Sequence, residues 1–214
     1  MRALAVAAVA LAAALTPWVG ALAFTVGITA ATPRSLYLRV GSGTPFANGN
    51  FQNGGTPTSD PTVNIVSTTV PAASVGNGTA RAMSTITPAP SGTSYWDGYA
   101  FCNAGQLYVG GFYRTSSNGN PGSVQLQATV PAALTNTTGD AIPFSQVSWT
   151  SSGNGDGGAQ PFPAGTFVAG GTQTIGTIAR NQWAESCHSF RYANSAVVPP
   201  GTYTGRVTYT LSLP

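Results

Sequence analysis

Residues 202–213 read TYTGRVTYTLSL, and this stretch decides the fold. Apolar or small residues alternate there with Thr, Arg and Ser, which is the pattern of a strand with one buried face. Pro199 and Pro200 precede it and Pro214 follows it, at positions where a missing N–H does little harm. The inward face of the predicted strand consists of Tyr203, Gly205, Val207, Tyr209, Leu211 and Leu213. The C-terminus therefore predicts a β protein.

Shorter runs with the same alternation occur along the rest of the chain. They cover residues 36–40, 63–70, 98–102, 107–113, 124–130 and 187–192, with weaker candidates at 147–150, 166–169 and 174–178. Turns rich in Gly, Asn and Pro separate these runs, and helix signals are nearly absent. About nine to eleven strands at this spacing predict an all-β fold, an antiparallel immunoglobulin-like sandwich with Greek-key connections.

Residues 1–23 have the pattern of a secretory signal peptide. Arg2 gives the short positive start, residues 3–15 form an unbroken apolar run, and the small residues Ala21 and Ala23 suit a cleavage site. A membrane anchor is the alternative interpretation, but the apolar run is shorter than the ~20 residues that a helical span needs. We therefore expect cleavage after Ala23.

The expected mature chain divides into two parts. Residues 24–32 form an N-terminal extension or edge strand, and residues 33–214 form a single β-sandwich domain. No later segment approaches the length of a membrane helix, so we expect no integral membrane insertion. The predicted route is through a bacterial periplasm to the cell surface or a fimbrium.

Cys102 and Cys187 are the two cysteines of the chain. An even number of cysteines in an oxidising compartment predicts one disulfide. Closing a loop of about 85 residues stabilises a fold by roughly 4–5 kcal/mol in chain-entropy terms. The alternative is a nucleophilic Cys187 beside His188, but neighbouring residues of a strand point to opposite faces and are poorly placed to share a proton.

Charged residues are scarce, at 6% of the chain. All eight basic residues are arginines, and they form no stripe, so we expect no nucleic-acid partner. Thr, Ser, Asn and Gln must supply the polar surface instead. Such surfaces are common on extracellular β proteins that lie against copies of themselves or against glycans.

The residues for acid–base chemistry are few, namely one histidine and five carboxylates. No nucleophile, metalloprotease or nucleotide motif is present, so we predict no enzyme, no cofactor and no metal. Only the fold could bring a serine, His188 and Asp97 together. Asn154 and Asp156 supply part of a calcium-loop pattern, for which a flexible turn is the favoured interpretation.

Tyr95, Trp96 and Asp97 form the most suggestive short motif. Exposed aromatic rings beside a carboxylate could stack on a sugar and accept hydrogen bonds from its hydroxyls. The favoured alternative is structural: Tyr99 and Phe101 alternate into the core while Trp96 covers the disulfide, because large aromatic residues in β domains are mostly core.

Residues 201–211, GTYTGRVTYTL, resemble the final strand of subunits of chaperone–usher pili, including the spore-coat-U-like branch. The resemblance implies that a periplasmic chaperone recognises this strand through Tyr203, Val207, Tyr209, Leu211 and Leu213. The start of the mature chain is similar to a pilin donor strand. Its alternating residues are Phe24, Val26, Ile28 and Ala30.

Two functional hypotheses follow. In the first, the protein is a structural or adhesive subunit of a bacterial surface fibre, assembled with other subunits or copies of itself by strand complementation. In the second, it is a secreted monomeric carbohydrate-binding module. The two hypotheses differ in whether residues 24–31 act in a neighbouring molecule or pair within their own sheet.

Overall fold

The structure is a computed structural model that describes residues 24–41, 46–87, 92–116, 118–153 and 158–213. The predicted signal peptide and the loop containing Asn154 and Asp156 lie outside the described residues. The described strands are β1 Thr25–Gly27, β2 Ser35–Val40, β3 Ile65–Ser67, β4 Arg81–Ala82, β5 Ser84–Thr87, β6 Leu107–Arg114, β7 Ser123–Thr129, β8 Ala133–Thr135, β9 Ala141–Pro143, β10 Val147–Ser152, β11 Gly165–Thr166, β12 Thr172–Ala179, β13 Gln182–Tyr192 and β14 Thr208–Ser212. Two single-turn 3₁₀ helices cover Ala72–Ser74 and Phe144–Gln146.

A seven-stranded central sheet carries the fold. Its order is β11-β10-β13-β6-β2, and β1 and β4 also pair with β13. A second sheet of order β12-β7-β14 packs against one of its faces, and β3-β5 and β8-β9 form two-stranded sheets. All pairings between described strands are antiparallel, and apart from β10 and β11 the neighbours in the two main sheets are not consecutive strands of the chain. The prediction of an all-β, antiparallel β-sandwich is confirmed.

Strand β13 is the axis of the central sheet because its two halves have different neighbours. Its first half pairs with β6 on one side and with β1 on the other. Its second half pairs with β10 and, near its end, with β4. Because β10 lies opposite β6 in the sheet order, β1 and β10 share one side of β13 and lie end to end along it.

Both faces of the central sheet are covered, and β6 shows this directly. Its sequence LYVGGFYR is buried along almost its whole length, as expected for a strand with a core on each side. Leu107, Val109 and Tyr113 enter the core under the second sheet, whereas Tyr108 and Phe112 enter a separate aromatic core. Gly111 permits close strand approach, since a Cβ there would lie 2.2 Å from the Tyr37 carbonyl oxygen.

The main core lies between the two large sheets. Its fully enclosed side chains come from β6, β7 and β12 and from the segments on either side of β11: Val109, Tyr113, Val124, Leu126, Phe162, Phe167 and Ile178. Leu126 and Val124 of β7 alternate with half-buried glutamines, so the second sheet has one face inward and one outward. This face of the molecule is an ordinary sheet-on-sheet packing.

The terminal strand is shorter than predicted. Strand β14 begins at Thr208, and Tyr203 lies before it, with its hydroxyl donating to the Pro199 carbonyl at 2.8 Å. Thr204 forms only an isolated bridge with Thr135. Gly205 lies against Phe144, where a Cβ would come within 2.8 Å of the ring. The chain therefore crosses the β8–β9 pair before it joins β7.

Loops rather than strands cover the other face, and the aromatic core beneath them contains Phe46, Tyr95, Phe101, Tyr108, Phe112 and Trp183. Two loops, residues 46–57 and 92–106, supply most of this cover. The Cys102–Cys187 disulfide ties the second loop to β13, which confirms the predicted pairing. Residues 98–102, predicted as a strand, belong to this loop, in which Tyr99 is 76% exposed.

Candidate functional site

The N-terminal segment forms an edge strand of the chain's own sheet. Thr25, Val26 and Gly27 pair with Ala184, Trp183 and Gln182, respectively. Two further hydrogen bonds extend the ladder, one from Ile28 N–H to the Asn181 carbonyl at 2.9 Å and one from Glu185 N–H to the Phe24 carbonyl at 3.3 Å. The pairing is therefore five residues long at most, at a sheet edge.

Alternate side chains of this segment close one side of the aromatic core. Phe24, Val26 and Ile28 are half-buried and pack against it, and the Phe24 ring meets Phe101 edge-on at 5.1 Å. Thr25 and Gly27 point the other way, which agrees with the alternation of the sequence. Ala30, which the sequence placed on the same face, is exposed and lies beyond β1. The inserted face therefore has three side chains rather than four.

A buried carboxylate lies beneath this edge strand. Glu185 of β13 is fully enclosed and accepts hydrogen bonds from Ser94 Oγ at 2.6 Å, Trp183 Nε1 at 3.0 Å and the Tyr108 hydroxyl. Burial raises the pKa of the Glu185 carboxyl to about 7, although the three donors favour the carboxylate and act in the opposite direction. The site therefore joins the covering loop, through Ser94, to both central strands of the sheet.

A groove opens beside the edge strand, with a volume of about 500 Å³. The N-terminal segment forms one side with Ile28 and Thr29, and the loop of residues 51–57 forms the other. Trp96 and Arg114 complete its lining. The groove is thus built from four separate parts of the chain.

Backbone hydrogen bonds fix the two loops that border the groove. Phe51 N–H donates to the Tyr95 carbonyl at 3.1 Å, and Gln52 N–H donates to the Trp96 carbonyl at 2.8 Å. A tight turn follows, in which Gly54 has a φ of +80° that favours glycine. The rings of Phe51 and Trp96 consequently stack, with centroids 5.4 Å apart.

The three residues predicted to contact a glycan have different positions. Tyr95 is 4% exposed and packs between Phe46, Tyr108 and the Arg39 guanidinium, so its prediction as a sugar contact is wrong. The Asp97 carboxylate accepts from Tyr99 N–H at 3.0 Å and shapes the turn. Of these three residues, only Trp96 lines the groove.

The C-terminal residues predicted to bind a chaperone belong to an edge of the second sheet. Strand β14 pairs with β7 and is the last strand in the order β12-β7-β14. Val207, Tyr209, Leu211 and Leu213 are partly buried and pack on the main core. Tyr203 lies outside this strand, at the turn described above.

His188 and Asp97, which a hydrolase would need to bring together, lie on different sides of the central sheet. The His188 ring is buried against Trp149 on the main-core side and lies 3.2 Å from the Phe162 carbonyl through Nε2. Burial lowers the pKa of His188 to about 4, so the ring is neutral and Nε2–H donates to that carbonyl. Among the described residues, no three potential His, Cys, Asp or Glu ligands lie close enough to hold a metal ion.

Sequence reasoning missed three contributors to this region. Glu185 was one of only five acids in the chain, and this scarcity was the available signal. Phe51 and Arg114 carried no such signal, because their positions depend on how the loops fold over the sheet.

Comparison with protein-family models, with curated proteins and with solved structures finds no match to this chain. In the described part of the chain, no helix is long and apolar enough to cross a membrane.

Proposed function

We propose that this protein is a secreted structural and adhesive subunit of a bacterial surface fibre, assembled by exchange of its N-terminal strand between copies. One observation carries the proposal. Residues 24–28 form a short edge strand whose three apolar side chains complete the aromatic core. The expected cleavage after Ala23 would make this segment a chain terminus, which is free to do the same in a neighbouring molecule.

Exchange between identical chains conserves every contact. If residues 24–28 leave their own β13, the same segment of another copy can restore the ladder to Trp183 and the packing against Phe101. Exchange of an identical element is therefore a low-cost route to association. A head-to-tail arrangement leaves a free N-terminal strand at one end of the assembly and an open β13 edge at the other. Further copies can add at both ends, so the assembly extends into a fibre.

A chain whose β13 edge is uncovered gains stability when it binds the N-terminal segment of another copy. Without the segment, part of β13 would present unpaired backbone groups, and Phe101 and Trp183 would lose part of their cover. Burying each large apolar side chain contributes roughly 1.5–3 kcal/mol when burial is complete. A periplasmic chaperone would protect such an intermediate, and β14, at the edge of the second sheet, is a strand to which it could add.

Cysteine pairs placed by the observed register test the proposal directly. Gly27 faces Gln182 across the ladder, and a Cβ on Gly27 meets no atom within 4 Å. Chains carrying Gly27→Cys are mixed with chains carrying Gln182→Cys, allowed to assemble and then oxidised. We expect disulfide-linked heterodimers on non-reducing gels, because each bond then joins two molecules.

A matched control uses Thr29→Cys with Gln182→Cys, since Thr29 lies outside the register and should not crosslink. A second arm deletes residues 24–31, which should leave a folded chain that accepts the same segment as a synthetic peptide. Three results together would contradict the fibre proposal: the mixed chains never crosslink, the intact protein is a monomer by light scattering, and the deletion unfolds the chain. The segment would then serve only its own sheet.

A further inference from the structure

The groove beside the edge strand has the composition of a ligand site. Its volume of about 500 Å³ lies within the usual range for small-molecule sites. Its lining combines aromatic rings, hydroxyls, an amide and one guanidinium, from Phe51, Trp96, Thr29, Thr56, Gln52 and Arg114. No carboxylate side chain is among its lining residues, so the groove is locally positive.

Arg114 is held in place but retains donors for a ligand. Its guanidinium lies over the rings of Phe51 and Phe112, at 5.5 and 5.3 Å from their centroids. Its Nε–H donates to Ser35 Oγ at 3.1 Å, and no other described residue accepts a hydrogen bond from it. A guanidinium has five N–H donors, and two parallel ones match a carboxylate.

The aromatic wall suits the other part of such a ligand. Trp96 is half-buried, stacks on Phe51 and rests on Trp183 with ring centroids 5.8 Å apart. An indole supported in this way is rigid, so little conformational freedom is lost when a ligand stacks on it. The exposed Gln52 and Thr56 add an amide and a hydroxyl for hydrogen bonds to ring hydroxyls.

We propose that this groove binds a carboxylate-bearing sugar unit, a hexuronate residue of an extracellular polysaccharide. Arg114 binds the carboxylate, Trp96 packs against the sugar ring, and Gln52 binds hydroxyls. This binding site goes beyond assembly of a fibre and does not depend on it, because the groove has the same lining whether residues 27–29 belong to its own chain or, after strand exchange, to a neighbouring copy. It gives the subunit an adhesive surface of defined chemistry.

The probe is tetragalacturonate, compared with the same tetrasaccharide after its carboxylates have been reduced to alcohols. Titration calorimetry on the purified secreted chain, at low salt, should show binding of the acidic probe at least about tenfold tighter than the reduced one. A charge-assisted pair contributes about 1.5–3 kcal/mol, which corresponds to a factor of about ten to one hundred.

The variants separate the two parts of the site. Arg114→Gln should lose at least about tenfold in affinity for the acidic probe and leave the affinity for the reduced probe unchanged, because only the acidic probe has a partner for the guanidinium. Gln52→Ala should weaken both probes equally. Arg191→Gln changes an exposed arginine in a different cavity of the molecule and serves as the matched control, with no expected effect.

Three results would overturn the proposal: no binding of the acidic probe, equal binding of the two probes, or equal loss for Arg191→Gln and Arg114→Gln. The exposed Gln52→Ala variant keeps the test decisive if Arg114→Gln disturbs folding, which its unfolding transition would reveal. Failure here would leave strand exchange intact, since the crosslinking experiment measures assembly without any sugar.

Discussion

The two faces of the central sheet are buried by different means. On the main-core side, a second sheet places Leu126 and Ile178 in regular alternation against β6 and β13. On the aromatic side, loops and the edge strand β1 provide the cover, with the Trp183 ring lying against those of Tyr37, Phe46, Phe51, Trp96 and Phe112. Backbone hydrogen bonds between paired strands fix their register, whereas loops need other interactions to fix their conformation.

Such interactions are found on the aromatic side. The disulfide joins Cys102 of the covering loop to Cys187 of β13, and Ser94 of the same loop donates to the buried Glu185. The loop also pairs through its backbone with residues 51–52. An irregular cover is thus anchored by a covalent bond, a buried polar cluster and loop-to-loop hydrogen bonds, which together restrict its conformations.

The largest expected effect is loss of the disulfide. Either Cys102→Ala or Cys187→Ala should lower the free energy of unfolding by about 4–5 kcal/mol, since the closed loop spans 85 residues. Denaturant unfolding of the purified variants measures this. The double variant should be no less stable than either single one, and unequal single losses would indicate a separate role for one cysteine.

Two truncation variants compare the packing on the two faces of the central sheet directly. Leu126→Ala removes a fully buried side chain from between two sheets and should cost about 3–5 kcal/mol. Phe24→Ala removes a half-buried ring from the edge strand and should cost about 1–2 kcal/mol. The two unfolding midpoints test the comparison, which fails if Phe24→Ala costs as much as Leu126→Ala.

Each face also contains a buried group whose pKa is shifted to a value between about 4 and 7, Glu185 on the aromatic side and His188 on the main-core side, and their pH effects oppose each other. The raised pKa of Glu185, about 7, means that the folded chain holds an extra proton, so stability from Glu185 is lost as pH rises from 4.5 to 7. The lowered pKa of His188, about 4, means that its contribution is lost as pH falls from 6.5 to 4. Between pH 4.5 and 6.5 the two contributions therefore partly cancel.

Single variants should reveal each contribution. In Glu185→Gln, the free energy of unfolding should fall as pH drops from 6.5 to 4.5, and in His188→Asn it should fall as pH rises from 4.5 to 7. Each change is at most about 3 kcal/mol. Denaturant unfolding across this pH range measures both slopes, and identical slopes in the two variants would contradict the assignment.

The sequence predicted the regular face better than the irregular one, for a physical reason. Residues 124–130 alternate with period two because one strand face meets another sheet, whereas residues 107–113 are buried on both faces, and both segments form strands at nearly the predicted bounds. Residues 98–102 show the same alternation by coincidence: Phe101 is buried under the loop, but Tyr99 is exposed. Periodicity cannot distinguish a strand from a loop that happens to turn alternate residues outward.

The candidate site shows the same limit. The apolar face of residues 24–28 was predictable from its alternation, and so was its place at a sheet edge. The groove was not predictable, since Phe51 and Arg114 are 63 positions apart in the sequence and come into contact only in the folded chain. Trp96 was considered as a possible sugar contact together with Tyr95 and Asp97, although a structural role was favoured; the structure buries Tyr95 and places the Asp97 carboxylate at the Tyr99 N–H.

The smallest expected effect is that of truncating Tyr99, and Tyr95 in the same loop provides the comparison. Tyr95 is buried against Tyr108 with ring centroids 5.0 Å apart, and the Arg39 guanidinium lies over its ring. Tyr99, four positions later, is 76% exposed and supplies only backbone to the turn that Asp97 shapes. Tyr95→Ala should therefore cost about 3–5 kcal/mol, as for other buried aromatic residues.

Tyr99→Ala should change the free energy of unfolding by less than about 0.5 kcal/mol, because exposed side chains away from caps and networks contribute little. Denaturant unfolding of both variants, followed by tryptophan fluorescence, measures the difference, since Trp96 lies next to Tyr95 in this loop. Tyr99→Ser is the control for the turn itself, because it keeps the backbone N–H that Asp97 accepts from. A loss above 1 kcal/mol for Tyr99→Ala would mean that its ring is part of the cover, and the aromatic face would then extend further along the loop than the buried residues indicate.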